Sequence, residues 1–97
     1  MAAYGRKIVL NCPAGYKMRL DEMVEDFLRD GVIFVSVVGT DAAHVEDMID
    51  ELVVGDGQDE NRYILTSNHE GKSLQEAIEF AASLTGEYEG KVEVVEL

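Results

Sequence analysis

Residues that can carry out covalent, acid–base or metal chemistry follow the apolar runs of this sequence. Cys12 ends the run Lys7–Cys12, and His69 comes shortly after the run Arg62–Ser67. If these runs are strands of an open parallel α/β sheet, ligands are expected outside their carboxyl ends. The residues predicted to line such a pocket are Asn11, Cys12, Tyr16, Thr40, His44, Thr66, Ser67 and His69.

Nucleophilic catalysis is one reading of this group of residues. Cys12 could act as the nucleophile, with Arg19 and His69 as neighbours, if Lys17, Arg19 or a helix N-terminus lowers its pKa. Against this, a lone Cys that ends a buried strand commonly serves as a small apolar core residue. Cys12, His44 and His69 have no spacing diagnostic of a metal site, so we expect neither a metal nor a cofactor.

The elements that must position these residues alternate between strand and helix. Apolar runs with strand character occupy Lys7–Cys12, Val32–Gly39, Arg62–Ser67 and Lys91–Leu97. Between them, apolar residues recur with helical spacing, which predicts the order β-α-β-α-β-α-β. Such alternation is typical of a parallel sheet with right-handed crossovers. We therefore predict one three-layer α/β domain over residues 1–97, with a four-stranded, mostly parallel, flavodoxin-like or Rossmann-like sheet.

Local signals add detail to this architecture. Gly31 stands where a left-handed cap would end the first helix. Thr40 or Asp41 can cap the second helix, and Ser73 with Glu76 forms a capping box for the third. The expected strand order is the flavodoxin-like 2-1-3-4. The last strand is expected at an edge of the sheet, either parallel or antiparallel to its neighbour.

The net charge of −12 is concentrated in one segment. Residues 41–60 contain eight acidic and no basic residues, whereas residues 1–40 contain five of each. Glu46 with Asp50, and Asp47 with Glu51, are like-charge pairs at i,i+4 on the predicted second helix. Each such pair costs a few tenths of a kcal/mol. A helix face that serves solubility alone usually mixes the two signs of charge.

This acidic segment has two interpretations. One is a solvated helix face, and the other is a surface that meets a basic partner protein. We take the second as the working hypothesis because the repulsion within the helix is not compensated. The residues assigned to the partner-binding surface are Asp41, Glu46, Asp47, Asp50, Glu51, Asp56, Asp59 and Glu60.

Composition also bears on location and on other partners. The acidic balance disfavours direct binding of nucleic acid, and no apolar run is long enough to cross a membrane. No signal peptide is evident, so a cytoplasmic location is expected. The single Cys excludes an internal disulfide. The predicted edge strand Lys91–Leu97 would allow pairing with a second copy of the chain.

Cys12-Pro13-Ala14-Gly15 at the end of the first strand resembles the phosphocysteine loop of the IIB components of bacterial sugar phosphotransferase systems. The resemblance implies a cytosolic phosphocarrier with Cys12 as the phosphorylated residue. The family's loop continues with Ser and Thr residues, whereas this chain continues with Tyr16-Lys17-Met18-Arg19. Low-molecular-weight tyrosine phosphatases place five residues between the Cys and an Arg. Here six residues separate Cys12 from Arg19, which disfavours phosphatase chemistry.

The segment Arg62–Ala81 is similar to part of an uncharacterised family of small bacterial proteins. In that family a strand ends in Thr-Thr or Thr-Ser, a His follows, and a helix begins with Leu-x-Glu. This chain has Thr66-Ser67, His69 and Leu74-Gln75-Glu76 at those places. It departs from the pattern at Asn68, where the family has Trp before the His. The resemblance implies no activity, although it draws attention to Thr66 and His69.

Three functional hypotheses follow from these patterns. The first is a non-enzymatic interaction module of inhibitor, immunity or regulatory type that presents the segment Asp41–Glu60 to a basic partner. The second is a phosphocarrier or small enzyme that uses Cys12. The third is a small-molecule sensor that binds at the strand ends, although the sequence has no GxGxxG or P-loop motif.

Overall fold

The computed structural model of the protein describes residues 4–59 and 61–97. Within these residues the strands are β1 (Lys7–Cys12), β2 (Phe34–Gly39), β3 (Leu65–Asn68) and β4 (Val92–Glu96). The helices are α1 (Leu20–Asp30), α2 (Ala42–Val54) and α3 (Leu74–Ala82), and a short 3₁₀ turn precedes β4. This arrangement confirms the predicted order of elements and the α/β class.

The four strands form one parallel sheet in the order β3-β2-β1-β4. The predicted order 2-1-3-4 is therefore wrong, because β3 pairs with β2 rather than with β1. The observed order matches the first four positions of the Rossmann order 3-2-1-4-5-6. β4 lies at an edge, as predicted, and is parallel to β1.

The direction of travel across the sheet explains where the helices lie. The chain moves from β1 through β2 to β3 in one direction, so right-handed crossovers place α1 and α2 on the same face. It then returns from β3 to the opposite edge at β4, and the same handedness places α3 on the other face. The result is a three-layer structure with two helices on one side and one nine-residue helix on the other.

Each face of the sheet has its own apolar core. The larger core lies under α1 and α2 and includes the fully buried residues Ile8, Leu10, Phe27, Val45 and Ile49. The smaller core lies under α3 and consists of Val9, Phe34, Val38, Ala77 and Ala81. Alternate residues of β1 and β2 enter the two cores, as expected for strands covered on both faces.

β2 and β3 begin two and three residues later than predicted, respectively. β1 begins and ends as predicted. β2 begins at Phe34 rather than Val32, because the Val32 N–H donates to Phe27 O at 3.0 Å and so belongs to the end of α1. Gly31 adopts the left-handed cap conformation there, as predicted. β3 begins at Leu65 rather than Arg62.

The capping predictions had mixed outcomes. The Ser73–Glu76 capping box is present at α3. At α2, neither proposed side chain caps the helix: Asp41 occupies the N-cap position with a left-handed backbone and makes no side-chain cap bond. The Thr40 hydroxyl instead donates to Pro13 O at 2.9 Å. Glu70 supplies a substitute, because its Oε1 accepts the Ala43 N–H at 3.3 Å.

None of the helices in the described residues combines the length and the apolar character needed to cross a bilayer.

Candidate functional site

Cys12 is fully buried in the larger core at the carboxyl end of β1. Burial, and secondarily the nearby Glu96 carboxylate, raises the pKa of the Cys12 thiol to about 11. A catalytic or phosphoryl-accepting Cys needs a lowered pKa and access to its substrate. The environment of Cys12 has the opposite effect on both counts, so the thiol suits a packing role.

The crevice between β1 and β4 is filled by the chain itself. This is where the strand order reverses, the usual ligand position in a Rossmann-like sheet. Arg19 Nη2 donates to Glu96 O at 2.7 Å, and Leu97 N donates to Asn11 O at 2.9 Å. Asn11 Nδ2 also donates to the Glu96 carboxylate, and Leu97 is buried in the larger core. A small molecule would have to displace these contacts to bind here.

The two His residues lie on different sides of the sheet. His44 is exposed on α2, with its ring 6.4 Å from that of Tyr16. The Tyr16 hydroxyl donates to Asp21 Oδ1 at 3.0 Å, which raises the pKa of Tyr16. His69 packs against Phe80 of α3, with the ring centroids 4.9 Å apart. Its Nε2 is buried and has no hydrogen-bond partner among the described residues. The predicted pocket residues therefore share one end of the sheet without forming one pocket.

Thr66 and Ser67 are also separated, because adjacent strand residues point to opposite faces. Ser67 Oγ donates to Ser36 Oγ at 3.2 Å on the α3 side. On the α2 side, the Thr66 hydroxyl lies 2.9 Å from Glu46 Oε2 and 2.6 Å from Asp50 Oδ1. Two of the predicted partner-binding acids are thus bonded to β3, a link that sequence patterns did not reveal.

The described acidic residues of the segment Asp41–Glu60 lie at the surface. Glu46 is half-buried, and the others (Asp41, Asp47, Asp50, Glu51, Asp56 and Asp59) are exposed. Glu60 falls outside the described residues. No described Lys, Arg or His forms an ion pair with any of these acids. We call the exposed outer side of α2, with Asp47, Asp50 and Glu51, the acidic surface.

Arg62 closes the carboxyl end of α2, a role that sequence analysis missed. Its Nε donates to Val53 O at 2.8 Å and its Nη2 to Leu52 O at 2.7 Å. Both terminal nitrogens also bond the carboxylate of Glu25 on α1, at 2.9 and 2.7 Å. These hydrogen bonds lower the pKa of Glu25. Partial burial raises it and the Arg62 charge lowers it further, so the pKa lies below its usual value.

An open cleft of about 470 Å³ lies at the same end of α2. Its lining residues are Asp50, Glu51, Val54 and Gly55. Val54 is 59% exposed, so the cleft combines two carboxylates with an apolar wall. The long side chains of Lys and Arg combine an apolar stem with a charged head, which matches that lining.

Lys7 is a second residue whose position sequence analysis missed. Its side chain is fully buried on the α3 side, and Nζ donates to Ala81 O at 2.6 Å. Ala81 lies in the last turn of α3, where unpaired carbonyls and the helix dipole favour a positive charge. Lys7 therefore fixes α3 to β1 and is not available to a partner.

No group of three or more His, Cys, Asp or Glu side chains in the described part of the chain is placed to hold a metal ion.

The model of one protein family, a domain of unknown function (DUF7684), matches residues 8–96. The chain belongs to the DUF7684 family. No curated protein and no solved structure matches it significantly. Membership of DUF7684 agrees with the resemblance to an uncharacterised family, and it assigns no activity.

Proposed function

We propose that this DUF7684 protein is a small non-enzymatic interaction module, of inhibitor, immunity or regulatory type, that binds a basic partner protein through the acidic surface of α2. The observation that carries the proposal is that two exposed carboxylates of that surface form no ion pair with any described Lys, Arg or His. Asp47 and Glu51 lie one helical turn apart, both are exposed, and neither has an ion-pair partner among the described residues. A partner that supplies positive charge would relieve the repulsion between them.

The carboxyl end of α2 supports the same proposal. Arg62 illustrates how a guanidinium is held at this end, by two helix carbonyls and a carboxylate. The neighbouring cleft offers the Asp50 and Glu51 carboxylates beside exposed Val54. A Lys or Arg from a partner would lay its apolar stem along Val54 and its charge beside these two carboxylates.

The two alternatives have less support. A phosphocarrier or enzyme that uses Cys12 requires a reactive thiol, whereas Cys12 is buried with a raised pKa. A small-molecule sensor at the strand ends requires a free crevice, whereas Arg19 and Leu97 occupy it. With the interaction proposal we retain a cytoplasmic location, a protein rather than a nucleic acid as partner, and no membrane association.

Charge reversal on α2 tests the proposal against a matched change on α1. The test variant is Asp47→Lys with Glu51→Lys, and the control is Glu22→Lys with Asp26→Lys, which has the same spacing and the same change in charge. Glu46 and Asp50 are left unchanged because they bond β3. The readout is affinity capture from a lysate of the source organism at low ionic strength, with mass spectrometry of the captured proteins.

We expect the α2 variant to lose a captured basic protein by about tenfold or more, and the α1 variant to retain it. Capture by the wild-type chain should also fall as salt is raised, because exposed charges are screened. Equal capture by wild type and the α2 variant would contradict the proposal.

A further inference from the structure

The backbone of β3 presents unpaired groups at an open edge of the sheet. Leu65 N donates to Ile33 O and His69 N donates to Val37 O, so alternate residues of this segment face β2. In a parallel strand, the residues between them direct both N–H and C=O to the other side. Thr66 and Asn68 therefore direct their backbone groups away from the sheet, where a further strand could pair with them.

The opposite edge, at β4, is occupied at its carboxyl end. There Leu97 N donates to Asn11 O, so Glu96 directs its backbone groups outward. The Glu96 carbonyl is taken by Arg19 Nη2 at 2.7 Å, which places a positive charge over this edge. A charged side chain at an edge strand blocks the approach of another strand. The carboxyl end of the β4 edge is thus occupied, whereas no described side chain bonds the outward backbone groups of Thr66 and Asn68, so we take β3 as the edge that accepts a strand.

Side chains on the two sides of β3 differ in chemistry. On the α2 side, Thr66 and Asn68 are bonded to carboxylates: Thr66 lies within hydrogen-bond distance of Glu46 and Asp50, and Asn68 Nδ2 donates to Glu46 Oε1 at 2.7 Å. On the α3 side, half-buried Leu65 packs against the smaller core. A strand added at this edge would place its side chains alternately beside the carboxylates on the α2 side and beside Leu65 and Ser67 on the α3 side.

We propose that the partner binds by adding a strand to the β3 edge, and that this strand alternates Lys or Arg with apolar residues. The main-chain hydrogen bonds of Thr66 and Asn68 would supply affinity, and the alternating side chains would supply specificity. The basic residues face Glu46 and Asp50 and the apolar residues face Leu65. This inference rests on the proposed function. It names the segment of the basic partner that binds beside the acidic surface, where Glu46 and Asp50 face β3.

Two synthetic peptides of identical composition test the inference. In the first, Lys and Val alternate over about six residues, a usual strand length. In the second, all Lys residues precede all Val residues. We expect the alternating peptide to bind the full chain about tenfold more tightly than the block peptide, because only the alternating one matches both sides of β3. Amide hydrogen exchange should slow at Thr66 and Asn68 when the alternating peptide is added.

Asn68→Pro removes the outward N–H at the edge, and Asn68→Ala is its matched control. Both variants lose the side-chain bonds of Asn68, but only the Pro variant loses the edge donor and adds a ring there. We expect the Pro variant to bind the alternating peptide about tenfold more weakly than the Ala variant. Circular dichroism melting establishes that both variants are folded, and the exchange measurement on the wild-type chain does not depend on either variant.

The outcomes separate this inference from the proposed function. Equal binding of the two peptides, without protection of the Thr66 and Asn68 amides, overturns strand addition and leaves the acidic surface in place. Loss of all peptide binding in the variant with Asp47→Lys and Glu51→Lys supports the acidic surface alone. If neither peptide binds the wild-type chain, strand addition is overturned, and the capture experiment with the α2 variant still decides the proposed function.

Discussion

α1 and α2 lie side by side on the same face of the sheet and carry the same net charge. α1 has five acidic residues and one basic residue, and α2 has four acidic residues and none that is basic. Both helices bury an apolar side in the larger core, with Phe27 on α1 and Ile49 on α2 fully buried. Their difference lies in what the acidic side chains contact.

On α1, most carboxylates are bonded within the fold. Asp26 and Asp30 pair with Arg29 at 3.0 and 3.2 Å, and Glu25 pairs with Arg62 at 2.7 Å. On α2, Glu46 and Asp50 contact neutral Thr66, while Asp47 and Glu51 have no cation among the described residues. The net charge does not distinguish the two helices. They differ in whether cations of the chain pair with their carboxylates.

The first prediction concerns the buried apolar side that both helices have. We expect Phe27→Ala to lower the free energy of unfolding by about 4 kcal/mol and Ile49→Ala by about 3 kcal/mol, because each leaves a cavity in a closely packed core. Phe27→Ala also removes the edge-to-face contact with Tyr4, in which the two ring centroids lie 4.8 Å apart. Urea unfolding measures both values, with Ile49→Val, expected to cost about 1 kcal/mol, as the conservative control. A cost below about 1 kcal/mol for either Ala variant would show that its helix is peripheral.

The second prediction concerns the cation that joins the two helices. Arg62→Ala should lower Tm by several degrees, because it removes bonds to two α2 carbonyls and to the Glu25 carboxylate of α1. Arg29→Ala should have a smaller effect, since Arg29 is 62% exposed and exposed ion pairs contribute little. Thermal melts followed by circular dichroism compare the two variants. A larger effect at Arg29 would contradict this account of compensation.

Local sequence signals predicted much of this fold. β1, the Gly31 cap and the Ser73–Glu76 capping box were each identified correctly, because each depends on residues close together in the chain. The strand order was wrong because it depends on which edge β3 joins. No local pattern encodes that choice, since it results from packing between distant segments.

The candidate site was harder to predict for a related reason. Cys12, His44 and His69 do fall near one end of the sheet, as the strand assignments imply. Their faces depend on strand register and loop path, so Cys12 enters one core while His69 packs on the opposite helix. The contacts of Thr66 with Glu46 and Asp50 join residues that lie 20 and 16 positions apart in the chain, beyond the range of a local signal.

The third prediction uses pH to test the pairing of the Glu25 carboxylate on α1 with Arg62. Bonds from Arg62 lower the pKa of Glu25 from its ordinary value of 4.5. A carboxylate with a lowered pKa in the folded state stabilises the protein above its unfolded pKa and loses that contribution as the pH falls through its folded value. Wild type should therefore be more stable than Glu25→Gln at neutral pH, and the difference should shrink below pH 4.5. Urea unfolding at a series of pH values measures it, and a difference that is constant with pH would contradict the assignment.

The last prediction has the smallest expected effect on stability and tests the purpose of the difference. Glu51→Lys replaces repulsion from Asp47 with an i,i+4 attraction and places a positive charge in the last turn of α2. Stability should rise by about 0.5 kcal/mol, and the gain should shrink at high salt. The same substitution should weaken capture of the basic partner. A stabilising change that impairs binding is expected where a surface retains repulsion for the sake of function. A gain in stability with capture unchanged would instead indicate that the carboxylates of α2 serve only to keep the helix solvated.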